Sequence, residues 1–387
     1  MQNKVGACVE NDNFYGRTKE LKQAWRRLED GNSLVLAAPR RVGKTSFAKK
    51  MASIASEKGW SSIYVDLEGV HNEREFVEAI VDKMGECKNL LPRITDKVVS
   101  LISQMKANVK IQDVEVNLER QRIKESLFKE VHSLFYNLKS EKVLLICDEL
   151  AVFLNYILND SHDNRGIDNV EYFLNLLRSL RQIDDCEHRW IFCSSVSIEN
   201  FLKRHNLSKT MNDVDSFRID ALNEHEAKGL MRSLCESYNI SIEDESINYL
   251  LEKIGLTLPY YIQLMFSEIY DIKIDDEKEP VSVEDIDKAY EMLLSKQYFN
   301  TWTERLADYP EEQDLRLILI KIAEAKDGGC SRNILRSLFI DREMSDEYLS
   351  ELLMLLGNDG YIILDKTDKY VFRSFLLRDF WYNKYIA

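Results

Sequence analysis

The sequence is poor in proline and glycine, with 5 Pro and 14 Gly among its 387 residues. Long disordered linkers are rich in such residues, so their scarcity argues against linkers of that kind. No apolar run reaches the roughly 20 residues that a membrane-spanning helix needs. The opening stretch, residues 1–17, also lacks the apolar core of a secretory signal. We therefore predict a cytoplasmic protein that does not bind a membrane.

Cysteine is present but follows no metal-binding or disulfide pattern. The seven Cys are an odd number and no two of them form a CxxC pair. Free, reduced thiols are the expected state. Cys186, His188 and Cys193 lie close enough in sequence to suggest a metal site. However, Cys193 falls inside an apolar run that reads as a strand, which favours a structural role.

Positive charge is in the minority. The chain has 52 Lys and Arg against 66 Asp and Glu, hence a net charge of −14. Tight non-specific binding to nucleic acid depends on neutralising phosphates with Lys and Arg, so this balance argues against it. A local basic patch is still compatible with it. At roughly 150 residues per domain, the length corresponds to about two or three domains.

Short apolar runs alternate with helix-like stretches in the first half of the chain. Strands separated by helices predict an α/β fold with a mainly parallel sheet and right-handed crossovers. The run VLLIC is apolar throughout, as expected of a strand that is covered on both faces. The predicted strands are residues 33–38, 62–66, 143–147 and 190–194.

We assign residues 1–221 to this core. The segment at about 72–141 is unusually long and mostly helical by periodicity, so we interpret it as an insertion. Within it, Val109–Leu118 alternates apolar and polar residues, which predicts a short strand or hairpin.

After residue 221 the sequence changes character. Asn223 and an acidic first turn begin a series of amphipathic stretches, which predicts a helical lid over residues 222–300. Three further helices and a hairpin follow in residues 301–387. Helix–helix–helix–hairpin is the order of a winged-helix domain. The predicted lid helices are 223–238, 243–254, 259–271 and 283–296, and the later ones are 312–326, 331–339 and 345–356.

The motif GxxxxGK[ST] is matched from Ala38 to Thr45 at every position but the first. Backbone amides of such a loop cradle phosphate oxygens, and the helix that follows adds a favourable dipole. Lys44 is expected to contact the terminal phosphates and Thr45 to hold Mg²⁺. Ala38 is tolerable there as long as its φ is negative. The nucleotide-binding residues predicted in this loop are Pro39, Arg40, Arg41, Val42, Gly43, Lys44, Thr45 and Ser46.

A second motif follows the third predicted strand. Asp148 stands at the carboxyl end of a buried strand, where ligands collect in open α/β sheets, and is expected to hold Mg²⁺ through water. Glu149 is expected to orient or deprotonate the attacking water. The alternative is that this acidic pair only begins a helix.

A serine pair follows the fourth predicted strand. Ser194 is a candidate for contacting the γ-phosphate or the attacking water. Alternatively, Ser195 or Ser197 only caps the next helix.

With these motifs the sequence resembles the archaeal-type ATPase family of the STAND branch of AAA+ proteins, over nearly the whole chain. The resemblance implies a P-loop NTPase AAA+ core, a helical lid and a winged helix, with ATP or ADP and Mg²⁺ as cofactors. It also implies that Tyr15, Gly16 and Arg17 lie by the adenine, and that Pro259 begins a lid helix near it. The residues that carry it are Phe14–Arg17, Glu20–Leu21, Pro39–Arg41, Gly43–Ser46 and Asp148–Glu149.

The resemblance implies an ATPase. Because neither a sensor arginine nor an arginine finger can be assigned, we expect slow turnover, which fits a nucleotide-dependent switch that acts on a protein partner better than a motor. The resemblance is also compatible with ATP-dependent oligomerisation. No arginine in the lid helix after Pro259 takes the sensor role, and that helix offers only Gln263. The candidates for an arginine finger, none of them singled out, are Arg178, Arg181, Arg189 and Arg204.

Two rival functions follow from the same residues. The first is an ATP-gated DNA-binding regulator that acts through the winged helix. Its recognition helix would carry Asp346, Glu347 and Glu351, whose charge disfavours contact with phosphates. The second rival is a scaffold that holds nucleotide and never cleaves it.

Overall fold

The computed structural model describes residues 1–10, 13–38, 40–87, 90, 92, 96, 114–159, 165–194, 197–274, 279–340 and 345–387. The chain forms two compact units. The sheet unit comprises Thr18–Ala37 and Lys44–Ile219. The helical unit comprises Met1–Arg17, Ala38–Gly43 and Asp220–Ala387.

The sheet unit is built on five parallel strands in the order β2-β3-β4-β1-β5. All six residues of β3 are buried, which explains its run of apolar residues. Strand β4 lies between β1 and β3, so the carboxyl ends of these three strands are neighbours. The strands are β1 (Ser33–Ala37), β2 (Ser61–Asp66), β3 (Val143–Asp148), β4 (Arg189–Phe192) and β5 (Val214–Arg218).

Helices separate these strands along the chain, and three of the helices are in contact through aromatic side chains. The rings of Phe76, Phe153 and Phe173 lie with centroids 4.8–5.7 Å apart, so α3, α5 and α6 share one part of the core. The helices of the sheet unit are α1 (Thr18–Glu29), α2 (Lys44–Glu57), α3 (Glu73–Glu86), α4 (Val114–Asn137), α5 (Leu150–Asn159), α6 (Gly166–Arg181) and α7 (Ile198–Arg204).

The four predicted strands are present, but two other details of the core differ from the prediction. Strand β5 was not predicted, because its sequence VDSFR is mostly polar, as suits a strand at the edge of the sheet. The strand or hairpin predicted over Val109–Leu118 is wrong for Val114–Leu118, which begins α4. Its alternation is short, and the helix-favouring residues that follow extend a helix of 24 residues. Residues 109–113 lie outside the described part.

The helical unit consists mainly of helices. The helices predicted for the lid correspond to α8–α11, and two of them begin with capping boxes, at Asn223 and Ser282. Its helices are α8 (Glu224–Ser237), α9 (Asp244–Ile254), α10 (Pro259–Lys273), α11 (Val283–Ser295), α12 (Asn300–Glu304), α13 (Glu312–Glu324), α14 (Arg332–Ser337), α15 (Asp346–Asn358) and α16 (Phe375–Tyr385).

A small antiparallel sheet completes this unit, with strands β6 (Cys330–Ser331), β7 (Ile362–Leu364) and β8 (Lys369–Phe372) in the order β6-β8-β7. The predicted succession of three helices and a hairpin is therefore present in α13, α14, α15 and β7–β8. The domain boundaries predicted at 221/222 and 300/301 stay predictions. None of the described helices has both the length and the apolarity to cross a bilayer.

Candidate functional site

The loop between β1 and α2 contains two residues with a left-handed backbone. Two of its described residues, Arg41 (φ 63°) and Gly43 (φ 94°), are left-handed. Ala38 is not among the left-handed residues, so the alanine in place of the usual first glycine causes no backbone strain. A side chain at position 43 would cost about 1–2 kcal/mol because L-residues disfavour this region. Pro39 lies outside the described residues.

Contacts within the helical unit hold this loop. The Arg17 guanidinium is buried and donates from Nη2 to the Val42 carbonyl oxygen over 2.9 Å. The Arg41 guanidinium lies 4.5 Å from the centroid of the Tyr260 ring, a cation–π contact. Arg40 donates to the carbonyl oxygen of Thr301 over 3.4 Å. The side chains of the loop therefore contact both α10 and α12.

The segment Tyr15–Arg17 is fastened to the start of α8. The backbone N–H of Arg17 donates to Glu226 Oε1 over 2.6 Å, and the same carboxylate closes the capping box with Asn223. Gly16 is left-handed, and a β-carbon there would lie 3.2 Å from Glu226 Oε1, so glycine fits best. Further along α8, a β-carbon at Gly229 would overlap the Tyr15 hydroxyl.

Pro259 is the first residue of α10, where its missing N–H leaves no hydrogen bond unmade. Its neighbour Tyr260 contacts Arg41 of the loop. The structure thus brings together, in one unit, the loop and the other two segments that the resemblance implies for nucleotide binding. Contact of Tyr15, Gly16, Arg17 and Pro259 with the adenine stays a prediction. In this structure the Arg17 side chain supports the loop.

Lys44 and Thr45 open α2 in the sheet unit. The Lys44 side chain is 8% exposed, and no acidic residue occupies the first turn of this 14-residue helix. The first turn itself therefore contains no acidic residue that would offset the positive end of the helix, which suits this end to an anion. Ser46 is also buried in this turn.

Asp148, at the carboxyl end of β3, accepts hydrogen bonds from Tyr64 and from the Glu149 backbone, and the Cys193 thiol also interacts with its carboxylate. Its Oδ2 accepts from the Tyr64 hydroxyl over 2.7 Å, and its Oδ1 accepts from the backbone N–H of Glu149 over 3.0 Å. The carboxylate is 3% exposed. Burial raises the pKa of the Tyr64 phenol, and the neighbouring Asp148 raises it further. Tyr64 therefore remains a hydrogen-bond donor across the physiological pH range.

Glu149 has an unusual backbone and a defined side-chain partner. Its φ is 56°, a conformation that costs a residue other than glycine about 1–3 kcal/mol and is concentrated at functional sites. The Ser194 hydroxyl donates to Glu149 Oε2 over 3.1 Å. Ser194 follows β4, which lies beside β3, so the sheet order explains this pairing.

The neighbouring serines have other positions. Ser197 caps α7, accepting from the backbone N–H of Asn200 over 3.1 Å. Ser195 lies outside the described residues. Among the serines that the structure describes here, Ser194 is the one whose hydroxyl contacts the acidic pair.

The site contains partners that the sequence did not reveal. Tyr64 and Glu226 belong to no recognisable sequence motif. Tyrosines in strands and glutamates in helices are common, so neither residue indicates a functional site by itself. Three of the arginine-finger candidates have structural contacts. Arg181 pairs with Asp213 over 2.9 Å, Arg178 donates to the Lys209 carbonyl, and Arg189 donates to carbonyl groups that include that of Leu28.

Neither a family model nor a curated protein matches the chain. Among solved structures, a Walker-type ATPase of Pyrococcus abyssi is similar, with a TM-score of 0.63 at 14% identity over 98% of this chain and 99% of that chain. The ORC2 protein of Aeropyrum pernix, solved as ADPNP–ADP complexes, has a TM-score of 0.53 at 13% identity, over 97% of this chain and 98% of that chain. At these identities the likeness concerns the fold. The chain shares the α/β fold of these two structures, as its sequence predicts.

Proposed function

We propose that this protein binds ATP with Mg²⁺, hydrolyses it slowly, and uses the difference between the two nucleotide states as a switch in signal transduction. The observation that carries the proposal is the arrangement at neighbouring strand ends of the sheet unit. There a buried lysine opens α2, and Asp148 is followed by a left-handed Glu149 whose carboxylate meets Ser194. The resemblance to the archaeal-type, STAND-branch ATPases agrees with it.

Each residue has a role in this proposal. Lys44 and the amino end of α2 neutralise the phosphates. Thr45 and Asp148 offer hard oxygen ligands, which fit Mg²⁺, and the ion would neutralise charge on the phosphate oxygens. Glu149 orients the attacking water or accepts its proton. Ser194 fixes the direction of the Glu149 carboxylate by its hydrogen bond.

The contacts of the loop support a switch rather than steady turnover. The side chains of Arg40 and Arg41 contact Thr301 and Tyr260. A phosphate bound by the loop would therefore affect the contacts that the loop makes with α12 and α10. Gain or loss of the γ-phosphate can therefore change how these helices are held. The proposal therefore includes a protein partner that recognises the arrangement of these helices. It also includes nucleotide-dependent oligomerisation.

Calorimetry of nucleotide-stripped protein tests the proposal. We expect heat of binding on addition of Mg²⁺-ATP, and different limited-proteolysis patterns with ATP and with ADP. Absence of any binding heat would rule out the proposed function. Binding with identical proteolysis patterns in the two states would leave a nucleotide-binding protein without a switch.

A DNA-binding role is the second candidate, and ion pairs in the C-terminal region weaken it. Arg332 and Arg336 both pair with Asp346, over 3.2 and 3.7 Å, and Arg373 pairs with Asp220 over 3.2 Å. The first turn of α15 carries Asp346 and Glu347. These carboxylates offset the basic residues that would approach DNA phosphates.

We therefore expect no ATP-dependent retention of duplex DNA at low salt, measured by gel shift or filter binding. A DNA of random sequence at an ionic strength well below the physiological value gives the most sensitive assay. Retention that falls steeply as salt rises would instead support the DNA-binding regulator.

A further inference from the structure

Tyr64 approaches Asp148 through the register of the sheet. Strand β2 pairs in parallel with β3, with Tyr64 opposite Ile146 and Asp66 opposite Asp148. Tyr64 and Asp148 are therefore diagonal neighbours on the same face, a separation that an aromatic side chain can bridge. The phenol oxygen lies 2.7 Å from Asp148 Oδ2.

Hydrogen bonds on both oxygens of Asp148 orient its carboxylate. Oδ1 accepts from the backbone N–H of Glu149, and Oδ2 accepts from the phenol. With a donor on each oxygen, rotation about the Cβ–Cγ bond would break at least one hydrogen bond in a buried position. Such a loss is unfavourable because it leaves a desolvated oxygen without its donor.

A third element contributes to the same arrangement. The Lys49 ammonium lies 5.4 Å from the centroid of the Tyr64 ring. Lys49 lies one turn after Thr45 on α2. Tyr64 is therefore in contact with the helix that contains Thr45, the other proposed magnesium ligand. The phenol thus lies between α2 and the end of β3.

We propose that Tyr64 is a positioning residue that holds the Asp148 carboxylate in the orientation needed to bind Mg²⁺ through water. This inference rests on the proposed function, in which Asp148 serves the metal. Groups that hydrogen-bond to a metal-binding carboxylate fix its direction, and their loss typically costs 10–100-fold in metal affinity or activity. The Lys49 contact and the rigid strand pairing keep the phenol itself in place.

The test is Tyr64→Phe, with ATP affinity measured by calorimetry in EDTA and across a Mg²⁺ titration. We expect the Mg²⁺ concentration that gives half of the affinity gain to rise about 10-fold. Affinity for ATP in EDTA should be unchanged. The matched control is Tyr290→Phe, which removes a similar hydrogen bond, from Tyr290 to Asp379 Oδ2 over 2.8 Å, in the helical unit. This control should behave as the wild type.

The outcomes separate the inference from the proposed function. A wild type that does not bind Mg²⁺-ATP overturns the function, whereas a wild type that binds and a Tyr64→Phe variant that matches it overturn the positioning role alone. In an Asp148→Asn background, Tyr64→Phe should cause no further change in the Mg²⁺ requirement. An additive loss there would show that the tyrosine acts elsewhere.

A second variant covers the case in which Tyr64→Phe fails to fold. Fluorotyrosine at position 64 keeps the ring, the hydroxyl and the packing, and reports through its ¹⁹F resonance. We expect that resonance to shift when Mg²⁺ is added to the ATP complex. No shift, with Mg²⁺ binding confirmed by calorimetry, would contradict the inference.

Discussion

Replacing Glu149 with glutamine is expected to lower phosphate release about 10²–10³-fold, the typical effect of removing one preorganised group from an active site. Glutamine keeps the size of the side chain and can still accept the hydrogen bond from Ser194. It cannot accept a proton from water. Binding of Mg²⁺-ATP should be retained, so calorimetry and a phosphate-release assay on the same sample measure the two effects separately.

The matched control for this variant is Glu252→Gln, at an exposed position on α9. It makes the same chemical change, and it should leave both turnover and affinity as in the wild type. If Glu149→Gln released phosphate as fast as the wild type, the assignment of Glu149 to the attacking water would be wrong. The acidic pair would then only begin α5.

Replacing Lys44 with alanine is expected to weaken ATP binding about 10- to 100-fold. The ammonium is buried at the start of α2, where a hydrogen bond to a charged phosphate contributes about 1.5–3 kcal/mol. Phosphate release should fall to background as well, because a bound γ-phosphate would no longer be neutralised. Titration calorimetry with Mg²⁺-ATP measures the first effect.

Lys50→Ala is the control on the same helix. It removes an equal charge from α2, outside the predicted motif, and should change affinity little. Equal affinity of Lys44→Ala and the wild type would exclude the loop as the phosphate site.

The two variants together decide whether the protein is an enzyme or a scaffold. A scaffold binds nucleotide through Lys44 and shows no phosphate release in the wild type above that of Lys44→Ala. An ATPase shows release in the wild type that is strongly reduced in both variants, with the affinity of the wild type retained in Glu149→Gln and lowered in Lys44→Ala. This pattern of three proteins is more informative than any single rate.

The sequence predicted correctly those helices and strands that are determined by residues close to one another along the chain. An apolar run such as Val143–Cys147 is needed wherever a strand is covered on both faces, so it predicted β3 in any arrangement of the chain. The cap at Asn223 predicted a helix start because its side chain bonds a backbone amide three residues away. The motif that includes Gly43, Lys44 and Thr45 is also local, and it predicted a loop followed by a helix.

Where the cause was not local, the sequence was less informative. Over so few residues, the alternation of Val114, Val116 and Leu118 is compatible with a strand and with a helix. The helical residues that follow determine that this segment begins a helix. Strand β5 has few apolar residues because it lies at the edge of the sheet. That position is a property of the fold and cannot be seen in five residues.

The sequence by itself determined which residue types stand at the ends of β1, β3 and β4, and hence the class of chemistry. Only the tertiary structure decided which of them meet. The order β2-β3-β4-β1-β5 brings Ser194 to Glu149 and Tyr64 to Asp148, although 45 and 84 residues separate these pairs along the chain. The physical reason is that hydrogen bonding between strands sets lateral neighbours independently of chain order, so a side-chain contact across a sheet leaves no trace in sequence spacing.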